Sequence, residues 1–166
     1  MTRRPEVLQT TFAIGALVVG LLVYLLDRQS NTIYFMPDWL SLSTYFKPFF
    51  GLIGNYLPTF IHVYVLILLT AVIMVAPNAL VIPICAAWFT IDSLLEVAQI
   101  PLIAQWISTH VPSWFGQVPF LDNTADYFMA GTFDMLDLCS VAAGTLCAYL
   151  TIVMSYRRGH KNDAHI

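Results

Sequence analysis

Four long apolar stretches constrain what this chain can fold into. They cover residues 10–26, 57–75, 79–100 and 136–154. A helix rises about 1.5 Å per residue, so each stretch reaches across, or nearly across, a hydrocarbon core of about 30 Å. Only helices and closed barrels satisfy their backbone hydrogen bonds inside a bilayer. The pattern therefore predicts an all-α, polytopic membrane protein, with four transmembrane helices in a single transmembrane domain.

The composition excludes the common soluble classes. The chain is 58% hydrophobic and 10% charged, whereas soluble domains carry about 25% charged residues. The few basic residues make no stripe that could bind phosphates, so nucleic acid is not a predicted partner. Cys85, Cys139 and Cys147 all lie in apolar stretches, with neither the number nor the spacing of a disulfide framework or a metal site. No metal and no cofactor are predicted.

Two long connecting segments, residues 27–56 and 101–129, are rich in aromatic residues, proline and glycine. Tyrosine and tryptophan favour the headgroup zone of a membrane. Both segments are therefore predicted to be interfacial loops, the first with a short helix. Pro58 is expected in the first turn of the second span, where its missing N–H has no helical partner.

The basic residues predict the orientation of the chain. Of the seven, only Arg28 and Lys47 lie in the long loops, and the others are in the two tails. Because cytoplasmic segments carry the excess of lysine and arginine, both termini are predicted to be cytoplasmic. Both long loops are then predicted to lie on the outer side.

The third span carries an acidic face. In Ala87–Gln99, AWFTIDSLLEVAQ, the polar residues Asp92, Glu96 and Gln99 are separated by four and three positions. This spacing returns side chains to nearly the same side of a helix. An ionised side chain at the centre of a spanning helix costs about 2.5 to 3.5 kcal/mol on insertion scales. These residues are therefore expected to face protein, water or a ligand, with Asp92 about one turn deeper.

Further polar residues are expected at the same depth. The predicted topology brings the outer ends of three spans together, with His62 on the second span and Asp134 and Asp137 at the start of the fourth. Ionisable groups inside membranes are candidates for function. The predicted ligand-binding set is His62, Asp92, Glu96, Gln99, Asp134 and Asp137. In the structural alternative, His62 bonds to Glu96 or Asp137 and ties helices together, and Asp134 caps its helix.

A row of small residues marks one face of the fourth span. Ser140, Gly144 and Ala148 recur every four positions, a spacing that lets two membrane helices approach closely. The row predicts helix packing, either within this chain or with another subunit.

These residues resemble the VanZ-like family of membrane proteins. The resemblance rests on PTFIHVYVLILLT around His62, LLEVAQ with Glu96 and Gln99, and GTFDMLDLCSVAAG with Asp134, Asp137 and Gly144. It covers roughly the last two-thirds of the chain. Where the family commonly has Arg and Asn, this chain has Gly131 and Val141, so His62 is the one cation expected within the acidic cluster. The resemblance implies a bacterial inner-membrane protein, in a family some of whose members are tied to low-level resistance to teicoplanin-type antibiotics.

Three functions are compatible with this sequence. The first is binding of a lipid-linked or cationic ligand in a polar pocket at the outer leaflet, with membrane lipid as the partner. The second is an accessory subunit of a larger membrane complex, which docks other protein subunits through its aromatic loops and small-residue face. The third is a proton or ion pathway through Asp92 and Glu96, although no polar path continues below them. No motif supports catalysis, and no catalytic residues are predicted.

Overall fold

The computed structural model describes residues 5–28, 42, 49–119 and 121–163, with side chains as far as Arg157. Within these ranges the chain forms helices and turns, and no strand. A short 3-10 helix, Ser113–Gln117, lies between the fourth and fifth α-helices. The α-helices are α1 (Pro5–Asp27), α2 (Ile53–Ile73), α3 (Asn78–Val97), α4 (Pro101–His110), α5 (Thr124–Ala130) and α6 (Met135–Asp163).

Four of the helices are long and apolar enough to cross a membrane. They are α1, α2, α3 and the Met135–Arg157 part of α6. The predicted all-α polytopic architecture is therefore confirmed. Large apolar side chains project outward along these helices, on α1 above all. This is the arrangement expected of a bundle whose surroundings are as apolar as its interior.

The bundle is built around α2 and α6. The contact between these two helices is the most extensive, and α1 and α3 each pack against both of them. The core consists largely of branched aliphatic side chains, among them Val63, Ile67 and Leu68 of α2 and Val141 and Ile152 of α6. Helix α2 is thereby surrounded by the other three spans, which positions its polar residues against all of them.

Side-chain contacts distinguish the two ends of the bundle. At one end, which we call the tail end, Gln9 Nε2 donates to Ser155 Oγ over 2.8 Å, and both residues are buried. The Tyr156 hydroxyl donates to the Ala76 carbonyl between α2 and α3 at this same end. The opposite end, which we call the loop end, holds the start of α2, the end of α3 and the start of α6.

The first long loop is anchored to the end of α1. The Asp27 carboxylate accepts hydrogen bonds from the backbone N–H groups of Phe49 and Phe50, over 2.7 and 2.9 Å. These bonds join the end of α1 to the segment that leads into α2. A short interfacial helix is predicted for this loop, most of which, residues 29–41 and 43–48, lies outside the described residues.

Two proline positions differ from the prediction. Helix α2 begins at Ile53, so Pro58 lies inside the helix and not in its first turn. Its missing N–H leaves the carbonyl of Gly54 without a helical donor, which a helix tolerates at some cost. Helix α3 ends at Val97, three residues before the predicted end, and Pro101 opens the next helix, α4. Proline suits the first turn of α4 and keeps Ile100 extended.

The second long loop contains more helix than predicted. Helices α4 and α5 pack against each other, with Ala104 and Phe128 buried. On the other side of α4, Leu102 and Trp106 are exposed, and the Trp106 ring stacks on that of His110. A half-apolar helix with an exposed tryptophan suits the interfacial position that was predicted for this segment.

The turn between α2 and α3 contains a valine in a strained backbone conformation. Helix α2 ends with Ala76 N–H donating to the Ala71 carbonyl and Val75 N–H donating to that of Val72, the pattern of a Schellman motif. Val75 occupies the left-handed position of this motif, with a φ of 45°. A β-branched residue is strained there, by about 1–2 kcal/mol, whereas glycine is not.

We therefore expect Val75→Gly to raise the free energy of unfolding in detergent by about 1 kcal/mol. Met74→Gly is the matched control, because Met74 is also exposed but has a helical φ of −79°. Glycine there should lower stability by about 0.5–1 kcal/mol. Destabilisation by both substitutions would show that residue 75 does not adopt the left-handed conformation.

Candidate functional site

At the loop end, His62 of α2 faces Asp92 of α3. The distance from His62 Nδ1 to Asp92 Oδ1 is 3.4 Å, and the side chains are 59% and 6% exposed. The Asp92 atom Oδ2 is buried and has no hydrogen-bond partner within the described ranges of the chain. This pairing differs from the structural alternative of the sequence analysis, in which His62 bonds to Glu96 or Asp137. Those two carboxylates are engaged closer to the end of the bundle.

Glu96 joins the end of α3 to the start of α6. Its Oε1 accepts from the backbone N–H of Asp134 over 3.2 Å, and its Oε2 accepts from Gln99 Nε2 over 3.3 Å. The residue is buried. Both carboxylate oxygens of Glu96 therefore accept hydrogen bonds inside the protein, in contrast to Asp92 Oδ2.

The two acids at the start of α6 are also bonded to α2. Asp134 precedes the helix, and its Oδ1 accepts from the Leu136 N–H over 2.9 Å, which is the geometry of an N-cap. Its Oδ2 accepts from the Tyr56 hydroxyl over 3.2 Å. Asp137 Oδ1 accepts from Thr59 Oγ1 over 2.8 Å. The capping role considered for Asp134 is confirmed, and both acids tie α6 to α2.

A cavity of about 440 Å³ lies among these side chains at the loop end of the bundle. Of the predicted ligand-binding residues, His62, Asp92, Glu96, Gln99 and Asp137 line the cavity. Asp134 does not, and contributes instead through its bonds to Glu96 and Tyr56. The remaining lining residues are Tyr24, Arg28, Asn55, Pro58, Thr59, Leu95 and Tyr127.

Arg28 belongs to this site although the sequence did not predict it there. The Arg28 guanidinium lines the cavity, and its Nη2 donates to the Asn55 carbonyl over 3.1 Å. The sequence predicted His62 as the one cation of the acidic cluster. Arg28 is a second basic side chain there, so this prediction was wrong. A clue was present, because a basic residue directly after the first span is unusual for an outer loop.

Tyr127 of α5 adds a hydroxyl to the cavity from outside the four spans. Its side chain is 52% exposed. Burial of the remainder raises the pKa of the phenol, and the nearby charge of Glu96 raises it further, followed by smaller effects of Tyr24 and Asp92. A phenol is protonated at neutral pH even without this shift, so the hydroxyl can act as a hydrogen-bond donor.

The row of small residues lies at the contact between α6 and α2. Gly144 and Ala148 are buried, and a Cβ added at Gly144 would lie 2.6 Å from the Phe60 carbonyl oxygen. Ser140 is half-buried, and its hydroxyl donates to the Leu136 carbonyl of its own helix. Gly144 thus allows a close approach of two helices within this chain.

A second depression lies between α3 and α6. It has a volume of about 350 Å³ and is lined mainly by apolar and small side chains, among them Cys85, Ala86, Phe89 and Ala142. It lacks the acids of the loop-end cavity. Its composition suits contact with lipid tails, and it gives a control position for experiments on the cavity.

Toward the tail end from the cavity, two pairs of polar side chains join neighbouring helices. Trp88 Nε1 donates to Thr70 Oγ1 over 2.9 Å, and the hydroxyls of Tyr64 and Thr151 are 3.2 Å apart. Helices α2 and α3 carry no acid between Asp92 and the tail end. Among the described residues, no group of three His, Cys, Asp or Glu side chains could hold a metal ion. The arrangement suits a closed site at one end of the bundle.

Comparison of the chain with family models, curated proteins and solved structures gives no match. Its function therefore has to be inferred from the cavity itself.

Proposed function

We propose that the protein binds a lipid-linked or cationic ligand, one whose polar part includes a positively charged group, in the loop-end cavity, and that it does so without chemical conversion of that ligand. The cavity lies at the end of a membrane-spanning bundle, where lipid headgroups are found. It has three carboxyl groups, those of Asp92, Glu96 and Asp137, against the basic side chains of Arg28 and His62. The excess of acids favours a ligand that carries positive charge.

The observation that carries this proposal is the burial of Asp92 together with its incomplete hydrogen bonding. Its side chain is 6% exposed, and one of its oxygens has no partner within the described part of the chain. A buried polar atom without a partner costs about 1–3 kcal/mol, and more when it is charged. A donor on a ligand would remove this cost, so binding has a physical reason at this position.

The resemblance to the VanZ-like family supports the same site. Of the six residues that carry the resemblance, His62, Glu96, Gln99 and Asp137 line the cavity, whereas Asp134 and Gly144 do not. We propose accordingly that the protein is VanZ-like and resides in a bacterial inner membrane. Both tails would lie in the cytoplasm and the cavity in the outer leaflet, as the distribution of lysine and arginine favours.

The test is native mass spectrometry of the protein extracted in mild detergent from its own membrane. We expect the chain to retain a bound lipid or cation, and we expect the double variant Glu96→Gln/Asp137→Asn to lose it. These substitutions remove two charges from the cavity wall and preserve its shape.

Asp126→Asn is the matched control, because Asp126 is an exposed acid of α5 that does not line the cavity. This variant should retain the ligand. If the double variant retained as much ligand as the control, the proposed site would be wrong.

One observation supports the alternative hypothesis that the protein is an accessory subunit of a larger membrane complex. Leu102, Trp106 and Trp114 are exposed at the loop end, and such side chains are enriched where proteins dock. Gly144 and Ala148, in contrast, are buried within the chain and offer no docking face. A protein partner in stoichiometric amount in the same spectra would favour this second function.

A further inference from the structure

The carboxylates near the cavity differ in how many of their oxygens accept a hydrogen bond. Glu96 accepts hydrogen bonds on both oxygens, and so does Asp134. Asp137 accepts one from Thr59. At Asp92, Oδ1 faces His62, whereas Oδ2 is buried and has no hydrogen-bond partner among the described residues. Among these four carboxylates, the buried oxygen without such a partner therefore lies on α3, one turn deeper than Glu96.

A primary ammonium group is the ligand group that fits this acceptor. A carboxylate oxygen accepts hydrogen bonds and does not donate them, so the ligand must supply an N–H or O–H. Hydrogen bonds between ionised partners are about twice as strong as neutral ones. Glu96 lies one turn from Asp92 on the same face and adds negative charge. An ammonium group satisfies both the hydrogen bond and the charge, whereas a hydroxyl satisfies the bond alone.

The other end of the cavity carries a basic side chain. Arg28 lines it and contacts the carbonyl of Asn55, in the first turn of α2. His62, which faces Asp92, is seven residues further along the same helix. This places the basic and acidic ends roughly 10 Å apart along the axis of α2. Arginine is the residue best suited to a phosphate group.

We propose that the ligand has a zwitterionic headgroup, a phosphate ester joined by a short linker to a primary ammonium, as in phosphoethanolamine. The ammonium bonds to Asp92 Oδ2, and the phosphate lies toward Arg28. A two-carbon linker with a hydrogen bond of about 3 Å at each end has a span of this order. With the phosphate nearer the end of the bundle, the headgroup would point inward from the level of the lipid phosphates. This inference rests on the proposed function and specifies its ligand.

The experiment compares three lipids with identical acyl chains on the delipidated protein in detergent, with retention measured by native mass spectrometry. The lipids are phosphatidylethanolamine, phosphatidylcholine and phosphatidylglycerol. Phosphatidylcholine has the charge but no N–H, and phosphatidylglycerol has hydroxyls but no cation. We expect about tenfold or greater preference for phosphatidylethanolamine over both, the effect of one charge-assisted hydrogen bond.

Two variants test which residue binds the ammonium group and which binds the phosphate. Asp92→Asn should reduce the retention of phosphatidylethanolamine to that of phosphatidylcholine. Arg28→Gln should weaken the retention of all three lipids by a similar factor, because all three carry the phosphate. Ala86→Leu, which fills the apolar depression between α3 and α6, is the control and should leave the preference unchanged. The comparison of lipids on the unmodified protein does not depend on the folding of any variant.

Soluble phosphoethanolamine distinguishes a lipid from a free ligand. If it displaces phosphatidylethanolamine at equal concentration, recognition resides in the headgroup alone and a soluble ligand is the better assignment. If displacement needs a large excess, the acyl chains contribute and the ligand is a lipid. Either result is consistent with the zwitterionic headgroup.

The inference and the proposed function fail in different ways. Equal or stronger retention of phosphatidylglycerol, together with its loss in the Glu96→Gln/Asp137→Asn variant, would overturn the ammonium assignment and leave the cavity as a headgroup site. Retention of all three lipids without preference and without effect of any cavity variant would overturn both.

Discussion

Gly144→Ala is expected to lower the free energy of unfolding by about 1–3 kcal/mol, the usual cost of forcing extra volume into a packed interface. A Cβ at residue 144 would meet the Val63 side chain and would lie 2.6 Å from the carbonyl oxygen of Phe60. The side chain of Val63 could rotate, but the carbonyl belongs to the backbone of α2. The two central helices would therefore have to separate.

The measurement is equilibrium unfolding of the purified protein in mild detergent. Gly15→Ala is the matched control, because Gly15 is an exposed glycine of a spanning helix and has no atom within 4 Å of its Cβ position. Alanine is the better helix former, by about 1 kcal/mol, so this variant should be as stable as the unmodified protein or more so. Equal stability of the two variants would refute the close contact of α2 with α6.

Glu96→Ala is expected to destabilise the protein by a similar amount, about 1–3 kcal/mol. Its carboxylate accepts from the Asp134 N–H and from Gln99 Nε2. Removal of the carboxylate leaves the first of these donors without its partner where α6 begins. The start of α6 would lose its link to α3, and amide hydrogen exchange should increase first around residues 134–137.

Glu96→Gln is the conservative comparison. The glutamine side chain carbonyl accepts the Asp134 N–H as the carboxylate does, so the stability should remain close to that of the unmodified protein. The charge is lost, however, and so ligand retention should fall. If alanine and glutamine at residue 96 destabilised the protein equally, the bond to α6 would not be the structural contribution of Glu96.

Gly144 and Glu96 thus stabilise different contacts between helices. Gly144 holds α6 against Phe60 and Val63 of α2, whereas Glu96 links α3 to α6 at the cavity wall. A loss of binding in a Gly144 variant would follow from loss of the fold. A loss of binding in Glu96→Gln, with the fold retained, would report on the cavity itself.

Much of the architecture was predictable because its causes are local. The hydrophobicity of a spanning segment is a property of consecutive residues, so the four spans could be identified one by one. The common face of Asp92, Glu96 and Gln99 follows from the helical period. The gathering of His62, Glu96 and Asp137 at one end follows from the alternation of four antiparallel spans, and the structure places all of them around one cavity.

The remaining features depend on how the helices are rotated and how far they slide against one another, which no local pattern contains. Rotation of α2 pairs His62 with Asp92, and not with Glu96 or Asp137. The path of the chain after α1 brings Arg28 beside Asn55 and into the cavity. Packing with α2 buries Gly144 inside the chain, although its spacing was equally compatible with a contact between subunits.

What the sequence determined by itself is therefore the number of spans, the helical class of the fold and the set of polar residues that meet at one end. The tertiary structure decided which of these residues pair and which one, Asp92, keeps an open acceptor. It also decided where the positive charge opposite that acceptor lies. The physical reason is the distance along the chain over which each property is determined. Hydropathy and helical period act within one segment, whereas pairing depends on distances between segments that are far apart in the chain.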